Sequence, residues 1–316
     1  MTRILLANPR GFCAGVDRAI DIVEQLIDAH GAPLYVRREI VHNREVVENL
    51  RARGVIFVES IQEIPDGALA VFSAHGVSPA VQAEARERRL RIVDATCPLV
   101  SKVHLEALRF AKAGYFVLLV GHRNHDEVEG TLGHVPGGIA LVEDVEQARS
   151  VVVPDETRVA VVTQTTLSLD DTTLILSALR ERFPALREPS RSDICYATQN
   201  RQIAVKALAA EVDVVVVVGS ENSSNSQRLR ECAEQLGAAA YLVDGTEQLK
   251  GEWFAGHAKI GVTAGASSPE TLVARIVERI CELTENPNVE DFGEREPDLV
   301  FAPPKELALL QTSAGA

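Results

Sequence analysis

Five cysteines stand in this chain of 316 residues, and three of them share a setting. Cys13 lies in NPRGFCAGVDRAI, Cys97 in VDATCPLVSKV and Cys195 in SDICYATQNRQ, 84 and 98 positions apart. Two polar loops trail each thiol. The first loops read VHNREVVE, NHDEVEGT and SSNSQRLR, and His42, His125 and Ser223 follow their cysteines by 29, 28 and 28 positions. The second loops read SAHGVSP, TQTTLSL and GASSPE, and His75, Thr165 and Ser267 follow by 62, 68 and 72 positions. A thiolate is a nucleophile and a soft metal ligand. With no CxxC in the chain a local zinc knuckle is excluded. A Cys₃ zinc site, an iron–sulfur site and three small core residues remain open. The core role suits Cys232 in RECAEQL and Cys281 in RICELT, which fall within helical patterns. It suits the other three less well. Each lies near a strand-to-helix junction, where amide groups stabilise a thiolate. Iron–sulfur clusters commonly take four cysteines, so three leave one iron open for chemistry on a bound molecule.

The loops add neutral donors. His42, His75 and His125 are three of only eight histidines, and Ser223, Ser224, Asn225 and Ser267 occupy the corresponding loops. Loops that lead into helix N-termini cradle phosphate groups. A single loop histidine is usually a surface or capping residue. Three at matching positions favour a phosphorylated substrate. SENSSNS alone is weak, because turns and caps look the same. Glu127 and Glu129 follow His125; each is either a first-turn helix charge or a proton donor, and spacing does not choose between them.

Elements must hold these residues in place. Val16, Ala19, Ile20, Val23 and Ile27 predict a helix after Cys13 that ends near Gly31. Pro98, Val100, Val103, Ala107 and Ala111 predict one after Cys97. Ile203, Ala204, Ala207 and Leu208 give a weaker signal after Cys195. Short apolar strands follow at Leu34–Val36, Phe116–Val120 and Val214–Val218, then at VIFVE, IALVE and AYLVD, then at AVFSAHG, AVVTQTT and GVTAGAS. Continuous apolar runs suit parallel strands covered on both faces. The reading is three similar α/β lobes with mainly parallel sheets, each carrying one thiol and two polar loops. The lobes are 1–96, 97–194 and 195–284, with a tail at 285–316 and the first strand a candidate to join the third lobe. In open α/β sheets ligands sit beyond the carboxyl ends of the strands, where these loops lie. Spacing alone leaves open whether the lobes meet around one centre or follow in tandem.

Composition narrows the class. Apolar residues make up 46%, enough for a substantial core. A formal charge of −13 argues against a nucleic-acid binder or an anionic-membrane binder. No apolar run is long enough for a membrane span, and MTRILLANPRGFC is too short and broken for a secretory leader. The expectation is a soluble cytoplasmic protein with reduced thiols.

Nine strings in order carry a resemblance: ANPRGFCAGVDRAI, VHNREVV, FSAHGVSP, DATCPLVSKVH, GHRNHDEVEGT, TQTTLS, ICYATQNRQ, GSENSSNS and TAGASSP. Together they span nearly the whole chain. The sequence resembles the LytB-type 4-hydroxy-3-methylbut-2-enyl diphosphate reductases. That resemblance implies a pseudo-threefold trefoil of three α/β lobes around a central [4Fe–4S] cluster. It implies Cys13, Cys97 and Cys195 as ligands, with one iron open. It implies that His42, His75, His125, Ser223, Ser224, Asn225 and Ser267 hold the diphosphate. Thr165 is implied near the substrate hydroxyl, and Glu127 as the proton source. The reaction implied is two-electron reductive dehydroxylation of (E)-4-hydroxy-3-methylbut-2-enyl diphosphate to isopentenyl and dimethylallyl diphosphate. Electrons would come from ferredoxin or flavodoxin, since no GxGxxG fingerprint is present. The expected state is a monomer or weak dimer. A non-redox iron–sulfur dehydratase and an iron–sulfur carrier or sensor are the alternatives. Asp126 departs from the family pattern, which usually has proline there; the expectation is a looser loop and a tuning effect. VFAPPKELALL resembles the family C-terminus, and QTSAGA is expected to be disordered.

Overall fold

The structure is a computed structural model that describes residues 2–307 and 310; the QTSAGA terminus lies outside the described residues. The first pass of the chain gives β1 (Thr2–Ala7), α1 (Ala14–His30), β2 (Leu34–Arg37), α2 (Arg44–Ala52), β3 (Val55–Val58), β4 (Leu69–Phe72), α3 (Pro79–Glu87) and β5 (Arg91–Asp94). The second gives α4 (Pro98–Lys112), β6 (Phe116–Val120), α5 (Asp126–His134), β7 (Ile139–Val142), α6 (Val145–Ser150), β8 (Val159–Thr163) and α7 (Leu169–Arg182). The third gives α8 (Tyr196–Ala209), β9 (Val214–Val218), α9 (Ser224–Gln235), β10 (Ala239–Val243), β11 (Lys259–Ala264), α10 (Glu270–Glu282) and β12 (Pro287–Phe292). The α/β class with three parallel sheets is the one the apolar runs predict. By contacts the chain forms two compact units: Met1–Val16, His42–Glu48 and Tyr196–Val300 in one, and Asp17–Val41, Asn49–Cys195 and Phe301–Ala316 in the other.

The first unit is built on one parallel sheet in the order β10-β9-β11-β1-β12. Its centre follows from a run of five valines. Side chains alternate faces along a strand. Val214, Val216 and Val218 therefore join Leu272, Ile276 and Ile280 of α10, while Val215 and Val217 join Leu208 of α8 and Leu229 of α9. All five valines are at most 1% exposed. Burying each contributes roughly 1.5–3 kcal/mol. β1 pairs with β11 through Arg3↔Lys259 to Leu6↔Val262, and β12, within the stretch set apart as a tail, pairs along the other edge of β1.

The second unit holds two parallel sheets, β3-β2-β4-β5 and β7-β6-β8. β6 repeats the two-faced arrangement. Leu118 and Val120 pack with Ile175, Leu179 and Phe183, whereas Val117 and Leu119 pack with Val103, Ala107 and Phe110 of α4. In both units the strands run parallel, so their carboxyl ends, and the polar loops that leave them, share an edge of each sheet. Among the described residues no helix is long and apolar enough to cross a membrane.

A buried arginine anchors the loop that carries Cys13. Arg201 on α8 is 1% exposed. Its guanidinium donates to the carbonyls of Gly11, at 2.8 and 3.2 Å, and Ala197, at 3.1 Å, and pairs with Glu296 at 3.1 Å. Gly11 has φ +69°, and a Cβ there would lie 3.3 Å from the Ser268 carbonyl, so the turn requires glycine. Removing one partner of a buried pair leaves charge uncompensated. Arg201→Met is expected to cost about 3–5 kcal/mol, read by urea unfolding; a loss under about 1 kcal/mol would refute the anchoring role.

Candidate functional site

One hydrogen bond is repeated at all three repeat cysteines. The Cys13 N–H donates to the carbonyl of Ala266 at 3.1 Å, that of Cys97 to Ala74 at 2.9 Å, and that of Cys195 to Thr165 at 3.0 Å. The acceptors sit beside Ser267 and His75 and at Thr165, so each thiol is fastened to the second polar loop of a sheet. Each cysteine stands just before a helix: α1, α4 and α8 begin at Ala14, Pro98 and Tyr196. The positive end of a helix there favours a thiolate. None of the five cysteines is in a disulfide, and the three at the junctions are partly exposed. Cys232 packs in the core with Leu229, and Cys281 packs against the other face of that sheet, where burial raises its thiol pKa.

The second unit brings together His75, His125, Glu127 and Thr165, and also carries Cys97 and Cys195. Glu127 is 2% exposed. It accepts the Thr165 N–H at 2.7 Å and the Thr165 hydroxyl at 2.9 Å. Burial pushes its pKa up to about 7, against the opposing pull of those two bonds. His125 caps α5: its Nδ1 accepts the Glu127 N–H at 3.1 Å, so the neutral ring carries its proton on Nε2. The rings of His75 and His125 meet edge to face at 5.9 Å. Asp126 is pinned rather than loose. It pairs with Arg38, which also pairs with Glu129 at 2.6 Å, and it lies 3.8 Å from His75 Nδ1. Behind His75, Gly76 has φ +79°, and a Cβ there would lie 2.7 Å from the ring of His104. Burial drives the pKa of His104 down to about 3, so it stays neutral.

The first unit brings together His42, Ser223, Ser224, Asn225 and Ser267, and also carries Cys13. The Ser267 hydroxyl donates to the His42 carbonyl at 2.9 Å, joining the two polar loops. Ser223 caps α9 by accepting the Ser226 N–H at 3.3 Å, and Ser224 is the first residue of that helix. Asn225 is 5% exposed, yet its Oδ1 and Nδ2 have no hydrogen-bond partner among the described residues. A buried amide left without partners costs roughly 1–3 kcal/mol, which a bound polar ligand would recover.

Some contributors carried no strong signal in the sequence. Asp193, two positions before Cys195, has a fully buried carboxylate that accepts the Thr163 N–H at 3.0 Å and pairs with Lys102 at 3.0 Å. Burial holds it above the usual carboxylate range despite the ammonium. Arg38 lies in no motif; only its left-handed φ of 58° marks it. Tyr196, beside Cys195, accepts the Ala14 N–H at 3.3 Å.

Parallel α/β sheets with cysteines at helix starts and polar loops at the strand ends define an α/β class that gathers soft-ligand and anion-binding residue types at one edge of each sheet. The model of the LytB protein family matches residues 4–281. A 4-hydroxy-3-methylbut-2-enyl diphosphate reductase of Hahella chejuensis is 56% identical over 311 residues, covering 97% of this chain and 98% of the relative. One from Burkholderia mallei is 57% identical over 306 residues, covering 97% and 94%. The solved E-1-hydroxy-2-methyl-but-2-enyl-4-diphosphate reductase of Plasmodium falciparum superposes with a TM-score of 0.95 at 35% identity, covering 100% of this chain and 99% of that one. The chain belongs to the LytB family.

The raised pKa of Glu127 has a thermodynamic consequence. A carboxyl whose folded value exceeds its unfolded one stabilises the fold below the ordinary value, near 4.5, and loses that contribution as pH rises through about 7. Glu127→Gln cannot ionise. Its stability relative to the parent is therefore expected to rise by up to about 3 kcal/mol between pH 5 and pH 8.5, measured by urea unfolding. A difference that is flat with pH would exclude a buried, neutral Glu127.

Proposed function

We propose that this chain is a 4-hydroxy-3-methylbut-2-enyl diphosphate reductase, catalysing the last step of non-mevalonate isoprenoid precursor synthesis. It converts (E)-4-hydroxy-3-methylbut-2-enyl diphosphate, two electrons and two protons to water and either isopentenyl or dimethylallyl diphosphate. The observation that carries the reading is the repeated bond from each cysteine N–H to a substrate-type loop. The donor set fits an iron–sulfur group: three partly exposed thiols at helix starts, none in a disulfide. Zinc also binds thiolates but carries no electrons, and reduction requires them. A [4Fe–4S] cluster held by Cys13, Cys97 and Cys195, with one iron free of protein ligands, supplies electrons and a Lewis-acid position when bound. Five cysteines without a disulfide suit a reducing compartment, the cytoplasm.

The protein's own residues do the rest. His42, His75, His125, Ser223, Ser224, Asn225 and Ser267 hold the diphosphate through N–H and O–H donors. Asn225 gains the partners it lacks in the free protein. Glu127 is close to half protonated near pH 7, which suits a general acid. Its proton passes to the Thr165 hydroxyl 2.9 Å away, and the Thr165 O–H turns toward the allylic hydroxyl, which leaves as water. A second proton completes the reduced carbon skeleton. Electrons come from a ferredoxin or flavodoxin.

Anaerobic reconstitution with iron and sulfide should give a four-iron Mössbauer spectrum in which one iron responds to substrate. Turnover should stop when reductant is withheld, which separates this reading from a non-redox dehydratase. Glu127→Gln should lose about 10²–10⁴-fold in turnover with cluster content and substrate affinity kept. Full turnover in that variant would remove Glu127 as the acid, and a spectrum indifferent to substrate would remove the open iron.

A further inference from the structure

Backbone strain marks Arg38. It follows β2 with φ +58°, a left-handed conformation that residues other than glycine rarely adopt, and its N–H is fixed to the Val58 carbonyl at 2.6 Å. Strain of this kind persists where the surroundings require it and gathers at functional sites. What it gives here is reach. From this turn the guanidinium crosses to the first turn of α5, 88 positions along the chain, where it pairs with Asp126 and, at 2.6 Å, with Glu129.

Asp126 stands between Arg38 and His75. One carboxylate oxygen meets Arg38, and the other lies 3.8 Å from His75 Nδ1. The Ser73 hydroxyl, at 3.5 Å, is nearer to that nitrogen, so Asp126 acts on the ring through charge rather than through a hydrogen bond. The side chains of Arg38, Asp126 and His75 are 21%, 13% and 15% exposed, so water screens their charges weakly. Other charges surround the pair. Half-buried Arg37 attracts Asp126, Glu129 and Glu59, and the five groups together carry one net negative charge. Glu59 and Glu129 are exposed, and Glu127 is turned to Thr165, which leaves Asp126 as the carboxylate that a ligand at His75 meets.

A diphosphate held by His75 and His125 brings its negative charge within one imidazole width of Asp126. Like charges placed together away from water repel strongly. We propose that Arg38 sets the affinity of this site for its diphosphate by cancelling the Asp126 carboxylate, which otherwise repels the anion. Arg38 is thus a positioning and charge-balancing residue that acts through Asp126 and touches no reacting atom. The proposal rests on reading His75 and His125 as diphosphate ligands. A plain strut between β2 and α5 makes a different demand: its loss lowers turnover and affinity together, and removing Asp126 as well restores neither.

The test measures KM and kcat of the reconstituted holoenzyme with a chemical reductant, and the Kd of inorganic pyrophosphate by calorimetry, which needs no turnover. Arg38→Met is expected to raise KM and the pyrophosphate Kd at least about tenfold with kcat within about threefold of the parent. Arg38→Lys keeps the charge and stays within about threefold on every quantity. Asp126→Asn tightens pyrophosphate at least about threefold. The double variant, with neither charge, returns to within about threefold of the parent. It leaves no buried charge uncompensated, so it folds where Arg38→Met alone does not, and thermal midpoints check this. Asp126→Asn then carries the test, and an unchanged pyrophosphate Kd in it overturns the proposal. An unchanged KM and Kd in Arg38→Met, with the parent active, overturns it too and leaves the reductase reading standing. So does a double variant as weak as Arg38→Met, or a kcat that falls with KM and Kd unchanged. An iron-loaded parent that binds neither substrate nor pyrophosphate overturns both readings.

Discussion

A hydrogen bond from a cysteine N–H to the carbonyl of a strand's exit loop contributes about 1 kcal/mol, and in this chain it fastens each repeat cysteine to a polar loop. It is made at Cys13, Cys97 and Cys195, to the loops that leave β11, β4 and β8 in turn. Because the acceptor adjoins or is the loop's polar residue, fixing the cysteine backbone also fixes His75, Thr165 or Ser267. The parallel sheets beneath make this possible. Their strands all end on one edge, so exit loops and helix starts gather there, and the two-sided valine and leucine packing keeps that edge rigid.

Binding a diphosphate in a chain of charge −13 looks contradictory until the charges are located. The loop residues proposed to hold the diphosphate are histidines, serines and an asparagine, and they carry no negative charge. The nearby carboxyls are neutralised in different ways. Asp193 pairs with Lys102, Asp126 and Glu129 share Arg38, and burial raises the Glu127 pKa to about 7, so its charge is partly removed near neutral pH. Asp126 illustrates how a departure in sequence is absorbed. It adds a charge beside the acid, but Arg38 takes it up, and its place at the first residue of α5 suits a negative side chain.

Most of the fold was legible because its signals are local. Continuous apolar runs announced parallel strands, and periodic alanines and valines announced the helices behind the cysteines. The pairing of β1 with β11 was legible only as a possibility, since it joins residues more than 250 positions apart. The edge strand β12 was hidden, because PNVEDF begins with a proline, carries no apolar run and has no fully buried residue. In the site, residue types and offsets gave the cysteines and loop donors. Arg38, Lys102 and Asp193 stayed hidden, because a buried ion pair is written in three dimensions and leaves no periodicity.

The choice among three acids in one helical turn shows where sequence stops and physics decides. Asp126, Glu127 and Glu129 all lie in the first turn of α5, where the helix dipole stabilises the ionised form by about 0.3–1 kcal/mol. By that rule all three are helix charges, and spacing cannot separate them. Burial can. The side chains of Asp126 and Glu129 are 13% and 48% exposed and meet Arg38, so both take the ionic role. Glu127 is buried, and burial, with the nearby Asp193 carboxyl, raises its pKa to about 7 against the two Thr165 hydrogen bonds, so desolvation outweighs the dipole. Of the three acids, the one burial keeps from ionising is thereby the one able to hold a proton near neutral pH, and its carboxyl meets the Thr165 hydroxyl in the loop that leaves β8.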